Sequence, residues 1–313
     1  MTLESSLRAD IVEVGRRMYA REYTDANAGN ISVRLGADRL LMTPKNVCKG
    51  FMTPDMMCIT DLDGKKLQGD LDPSTEMLMH LEVYRHRPDV QAVVHAHPPT
   101  ATGFAVAGIP LDRAVLAEVL TTLGSIPIAE YATPSTAELP EAVHKYIKAH
   151  DGMLLANHGA LTVGGDLYSA YYKMETVEHF AKISLVARLL GRENLISREE
   201  VVRLQGLRGT YGIQAPAPIC QDPDVPPGPG PSVPAQVVVA GPGEDAATCQ
   251  TVQAPVGTGL RLVPNLDFDF IDGRPRTAGA PQKAAGEASD EAEIRLTYRE
   301  LSALIEDAIK SLR

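Results

Sequence analysis

The chain has 313 residues, 44% of them apolar, with 5% aromatics, no tryptophan and a net charge of −10 at neutral pH. At ~150 residues per domain, this length holds one domain and something more, with an apolar content ordinary for a globular protein. The acidic balance argues against a duplex nucleic-acid binder, which needs a basic surface, but leaves small anionic substrates open, because local groups hold those.

The opening MTLESSLRAD has neither the basic nor the apolar region of a signal peptide. No apolar run approaches the ~18 residues needed to span a bilayer. Cys48, Cys58, Cys220 and Cys249 form no CxxC pair. The expectation is a cytoplasmic protein with reduced thiols and no membrane association. Cys58, inside MMCIT, reads as a core residue.

Residues 1–212 read as globular. Leu7, Ile11, Val14 and Met18 recur at helical spacing and predict a first amphipathic helix. Strand-like runs follow in NISVRL, RLLMT, MMCITDL and VQAVVHAH, with a helix over residues 74–87 between the last two. DGMLLANHGALTVG reads as strand, turn and strand. Asp166 opens a helix reaching about residue 190, and Ser197 with Glu200 starts one more as a capping box. Sequential, hairpin-like strands flanked by helices indicate an α/β protein of the α+β kind.

Composition changes over residues 213–293. APAPICQDPDVPPGPGPSVPAQ can be neither helix nor central strand, and AGAPQKAAGEASDEAE is small, polar and charged. Both fit a Pro/Gly-rich, largely disordered linker, although TGLRLVPNLDFDFIDG between them has some β character. Residues 294–313 then predict a helix. Thr297 and Glu300 form a capping box, and Leu301, Leu304, Ile305, Ala308, Ile309 and Leu312 make one apolar stripe.

The chemistry concentrates in three places. In AVVHAHPP, His95 and His97 stand two apart on a strand and project to the same side, where Pro98 ends the element. They are either metal ligands or two polar residues at a strand end. His158, in LLANHGALTV, is a turn residue or a third ligand. Glu76, in LDPSTEMLMH, is a carboxylate near a helix start, which dipole compensation alone would explain.

Together and in this order, NAGNISVR, DPSTEMLMH, VVHAHPPTA, EYATPSTAEL and LLANHGALTV resemble the class II aldolase/adducin family, and within it the zinc-dependent L-fuculose-phosphate aldolases. The resemblance covers residues 1–212. It implies a three-layer α/β/α fold with a central, mostly antiparallel sheet, and a homotetramer with active sites between subunits. It also implies one Zn²⁺ per subunit, held by His95, His97 and His158. Three neutral imidazoles leave zinc an open position for an α-hydroxy ketone phosphate, and the cation stabilises the enediolate left by C–C cleavage.

By the same resemblance Glu76 is the acid/base that serves the enediolate carbon. Related epimerases tend to carry Asp there. Tyr131, in EYATPST, matches a tyrosine presented across a subunit boundary as proton donor to the leaving aldehyde oxygen. Tyr211, in RGTYGI, matches one that closes over the site. Phosphate binding falls to Asn27, Gly29 and Asn30 in the loop before a strand, with Ser74 and Thr75 at a helix start. The family's TPxG loop reads TPKNVCKG here. Asn46 stands at the Gly position, where a left-handed backbone is tolerated, and Lys45 beside it is a further phosphate contact.

The implied reaction is retro-aldol cleavage of L-fuculose 1-phosphate or L-rhamnulose 1-phosphate to dihydroxyacetone phosphate and lactaldehyde. A sugar-phosphate epimerase or dehydratase, or a non-catalytic adducin-like scaffold, is the alternative. The tail is foreign to the aldolase pattern. An isolated helix of its length is marginal in water, so its stripe either folds back on the domain or docks in a partner groove. It resembles the encapsulation peptides that bind shell proteins of bacterial microcompartments.

Overall fold

The computed structural model describes residues 2–213 and 217–219, all within the first of two compact units, Met1–Thr251. The helix expected at 294–313 and nearly all of the 213–293 linker lie outside the described residues. Residues 217–219, inside that linker, are docked: Ser125 N donates to Pro218 O at 2.9 Å and Gln205 Nε2 to Ala217 O at 3.0 Å.

An eight-stranded sheet is the middle layer. Its strands are β1 (Asn30–Arg34), β2 (Arg39–Met42), β3 (Cys58–Asp61), β4 (Lys66–Gln68), β5 (Ala92–Ala96), β6 (Ile128–Ala129), β7 (Gly152–Leu155) and β8 (Gly159–Gly164). They lie in the order β4-β3-β2-β1-β5-β8-β7-β6, antiparallel throughout except for β6 on β7. The expected mostly antiparallel sheet is therefore present. β1 to β4 form the sequential hairpin part, and β5 crosses over to pair with both β1 and β8.

The helices are α1 (Leu3–Ala20), α2 (Met77–His86), α3 (Pro99–Val106), α4 (Ala117–Thr122), α5 (Glu138–Ile147), α6 (Leu167–Leu189) and α7 (Arg198–Leu207). Strand alternation sorts them into two layers. On one face Ala92, Val94 and Ala96 of β5 meet Ile11, Val14 and Met18 of α1 and Met174, Val177 and Phe180 of α6. On the other, Val93 of β5 with Leu161 and Val163 of β8 meets Met79, Leu81 and Val83 of α2 and Leu139, Val143 and Tyr146 of α5. This is the three-layer α/β/α arrangement. Phe180 and Met174 are fully enclosed, and truncating such a side chain to Ala typically costs ~2–5 kcal/mol.

Local chemistry sets the helix starts. Thr2 caps α1 by accepting from Ser5 N, Asp166 and Ser169 form a capping box on α6, and Ser197 accepts from Glu200 N on α7. α2 begins later than the 74–87 expectation. Met77 is its first residue and Glu76 its N-cap, with no capping side chain, because the Glu76 carboxylate is turned away to the histidines. α3, α4, α5, β4 and β6 are elements the sequence reading does not assign. Among the described residues, no helix is long and apolar enough to cross a membrane.

Candidate active site

β5 and β8 pair in register His95 to Leu161 and Ala96 to Ala160, which brings the end of one strand beside the turn that starts the other. His95, His97 and His158 meet there, with ring centroids 4.7–5.1 Å apart. Two glycines make the approach possible. A Cβ on Gly159 would stand 2.5 Å from Ala96 O and 2.6 Å from His97 Cδ2. Gly29, at φ +73°, presses its backbone against the other side of β5, where a Cβ would lie 2.9 Å from His95 O. Just before Pro98 the chain is held by His97 N donating to Tyr23 O at 2.8 Å. The Glu178 carboxylate accepts from Thr100 N and Ala101 N at the start of α3.

The donor set suits a cation. His95 Nδ1 lies 2.9 Å from Ala160 O; a carbonyl only accepts, so Nδ1 carries the proton of the neutral ring and Nε2 keeps its lone pair. That lone pair faces His97 Nε2 at 3.1 Å and Glu76 Oε2 at 3.4 Å. Two nitrogens bound to a tetrahedral zinc at roughly 2.0–2.1 Å stand about 3.3 Å apart, so His95 and His97 already have nearly the required separation. Burial holds both rings below the ordinary imidazole range, against the opposing pull of Glu76, and so favours the neutral form that ligates. His158 Nδ1 is buried with no hydrogen-bond partner among the described residues.

Glu76 closes the cluster, with Oε1 3.0 Å from His158 Nε2. Burial alone would raise its carboxyl. His95, His158 and the Asn30 amide outweigh that and hold it below the usual carboxylate range. Asn30 Nδ2 donates to Glu76 Oε2 at 2.7 Å. The same amide's oxygen lies 2.5 Å from His80 Nε2, so that nitrogen carries the His80 proton. His80 Nδ1 then accepts from Ser32 Oγ at 2.6 Å, and Tyr84 OH donates to Ser32. Every donor in this enclosed chain points toward Glu76. Burial pushes His80 down to about 4, so the ring is neutral and the direction of the chain is fixed.

The remaining sequence candidates fall in several places. Asn46 takes the left-handed backbone, at φ +58°, and its side chain accepts from Asn27 Nδ2 at 3.4 Å; both residues are exposed. Lys45 is exposed and paired with Asp72 at 3.0 Å. Ser74 is nearly buried, Thr75 is exposed, and both sit in the turn before α2. Tyr131 and Tyr211 are 61% and 62% exposed, and among the described residues no hydrogen bond joins either hydroxyl to the histidines. Sequence reasoning missed two residues. His80 stands four residues after Glu76 on α2. Lys49 is 2% exposed and donates to Asn27 O at 3.1 Å and Val47 O at 2.7 Å, tying together the two loops that carry Asn27 and Asn46. The second lysine of TPKNVCKG was the only available signal for Lys49.

Fold and site together define an α/β/α enzyme with a three-histidine, one-carboxylate centre able to hold a divalent metal. The chain belongs to the class II aldolase and adducin N-terminal domain family, whose model matches residues 9–185. It is 32% identical over 177 residues to an L-fuculose phosphate aldolase of Methanococcus maripaludis, covering 56% of this chain and 95% of the relative. It is equally identical, over 190 residues, to a 3-oxo-tetronate 4-phosphate decarboxylase of Pectobacterium atrosepticum, covering 59% and 87%. Among solved structures, YgbL from Escherichia coli superposes with a TM-score of 0.61 at 30% identity, over 65% of this chain and all of that one. The L-fuculose-1-phosphate aldolase of Thermus thermophilus gives 0.54 at 32% identity, over 61% and 98%.

Proposed function

We propose that the protein is a zinc-dependent aldolase that cleaves a deoxy-ketose 1-phosphate, L-fuculose 1-phosphate or L-rhamnulose 1-phosphate, to dihydroxyacetone phosphate and lactaldehyde. The observation that carries the reading is the Glu76 carboxylate lodged against His158 and His95 at 3.0 and 3.4 Å, inside a cluster of three imidazoles. His95, His97 and His158 would hold the metal, which when bound supplies Lewis-acid stabilisation of the negative charge developing on the substrate. Glu76 delivers a proton to the carbon freed by C3–C4 cleavage and removes it in condensation. Asn30 keeps the carboxylate oriented for that transfer. Tyr131, from a neighbouring subunit of a homotetramer, exchanges the proton of the hydroxyl that becomes the aldehyde oxygen, and Tyr211 closes over the site; the exposure of both side chains suits such roles. Asn27, Gly29, Asn46, Ser74 and Thr75, with Lys45, form the phosphate-binding side.

A second reading has support of its own, because decarboxylase relatives match as well as aldolase relatives. Loss of CO₂ from a 3-oxo acid phosphate also leaves a carbanion for Glu76 to protonate, but it frees no aldehyde oxygen, so Tyr131 has no proton to exchange. Product analysis with L-fuculose 1-phosphate and with 3-oxo-tetronate 4-phosphate separates the two. Absence of lactaldehyde from the first, with CO₂ from the second, overturns the aldolase assignment.

We also propose that residues 213–293 are a linker and that 294–313 dock a bacterial microcompartment shell protein, confining the reactive aldehyde. Four tails on a tetramer would strengthen weak docking. A fluorescent protein carrying residues 290–313 should co-purify with shells. A diffuse fusion, with lowered stability on deletion of the helix, would show that the helix packs on its own domain.

A further inference from the structure

About one and a half turns beyond Glu76, α2 carries a second group of metal-type side chains. Glu82 and His86 are four residues apart and share a face. α5 packs against α2 and brings His144 to the same place. Glu82 Oε1 lies 2.9 Å from His86 Nε2 and 2.7 Å from His144 Nδ1. The two imidazoles meet edge to face at 4.3 Å, and the three ligand atoms all lie within 4.8 Å of one another. The helices presenting them are fixed by the core layer beneath, through Met79 and Val83 of α2 and Leu139 and Val143 of α5.

We propose that Glu82, His86 and His144 form a second divalent-metal site, distinct from the three-histidine cluster and selective for Zn²⁺ or a similar borderline cation. Two nitrogens and one carboxylate oxygen match zinc and its neighbours, whereas Mg²⁺ and Ca²⁺ prefer oxygen-only shells. Without metal, both rings are placed to donate an N–H to the same carboxylate oxygen. A neutral ring exposes the facing lone pair by carrying its proton on the other nitrogen, so binding needs a tautomer change and an opening of the two Glu82–imidazole contacts, from 2.9 and 2.7 Å toward roughly 3.3 Å, to admit the ion. The His86 and His144 side chains are 30% and 34% exposed, which leaves access for the ion and for a water in the fourth position. Glu82, at 15%, is the enclosed base of the site. Occupied, the site would clamp α2 to α5 and so stiffen the helix that Glu76 precedes as N-cap.

The test is Zn²⁺ titration of the metal-stripped full-length protein against a chromophoric chelator, comparing wild type with His144→Ala, Glu82→Gln and His95→Ala. The expected result is one equivalent lost in His144→Ala and an affinity at least tenfold weaker in Glu82→Gln, with the other equivalent unchanged. His95→Ala should lose a different equivalent and keep the one that depends on His144. Zn²⁺ should also raise the thermal midpoint of His95→Ala but not of His95→Ala/His144→Ala. If His144→Ala binds as many equivalents as wild type with the same affinities, the site does not exist. If instead wild type and His95→Ala bind equally, it is the three-histidine centre that has failed, and the His144 comparison still decides this proposal.

Discussion

Asn30 Nδ2 stands 2.7 Å from Glu76 Oε2, and that contact fixes which way the Asn30 amide faces. A carboxylate only accepts, so the amide nitrogen must face it, and the amide oxygen is left for His80. The residue expected from the sequence to meet phosphate is thus engaged on both ends of its side chain, one of them holding the Glu76 carboxylate. Asn30→Ala is expected to lower kcat by about 10²-fold, the size of a lost charge-assisted hydrogen bond of ~1.5–3 kcal/mol, with KM little changed and metal content unaffected. A rise in KM with kcat preserved would assign Asn30 to phosphate binding instead. Steady-state kinetics with metal analysis on the same preparations decides it.

Burial of His80 is expected to make the fold acid-sensitive. Its folded-state value is lowered from 6.5 to about 4 by burial, so the unfolded chain binds the extra proton first as the pH falls. The stability of the neutral ring is complete above about pH 6.5 and is lost progressively down to about pH 4, a span worth ~3 kcal/mol. Urea unfolding of wild type and His80→Gln at pH 7 and pH 4.5 should show the wild type losing more. Equal losses would mean that His80 is not held neutral.

Lys49 repeats the same sign of pH dependence in a higher range. Burial lowers it from 10.5 to about 8, so between those values the unfolded state holds more protons and stability rises with pH. Lys49→Met removes that dependence but leaves the Asn27 and Val47 carbonyls without their donor. The stability of Lys49→Met relative to wild type should therefore fall by ~3 kcal/mol from pH 7 to pH 10.5. A difference that does not change with pH would place the ammonium in contact with solvent.

Gly29→Ala tests the backbone contact that seats His95. The new Cβ would lie 2.6 Å from Thr24 Cγ2 and 2.9 Å from His95 O, on a backbone at φ +73°. The strain should cost ~1–3 kcal/mol of stability and weaken metal binding together, read by thermal unfolding and zinc titration. Full retention of both would show that β5 is free to yield there.

The spacing of His95 and His97 was legible because a strand's period of two places both side chains on one side wherever the strand lies. His158 and Glu76 were legible only through the motifs around them. The chain brings them to His95 through the β5–β8 register and through a helix that starts at Met77 rather than at residue 74. α5 carries a strong apolar period in Leu139, Ala142, Val143, Tyr146 and Ile147, so its signal was present but unassigned. β4 and β6, at three and two residues, are too short for any periodicity to reveal. Asn30, His80, Ser32 and Tyr84 are scattered along the sequence, and a directed hydrogen-bond chain has no sequence period.

The sequence alone determined which side chains can bind a metal and move a proton, the longer helices and most of the strands, and the residues that start α6 and α7, because these follow from residue type and short-range spacing. The tertiary structure decided that Asn30 serves Glu76, that Lys49 is buried while Lys45 pairs with Asp72, and that Glu82, His86 and His144 converge. Those outcomes depend on which strand lies beside which and which helix faces it. They are set by the burial of two opposite sheet faces at once, a condition that no local stretch of the chain contains.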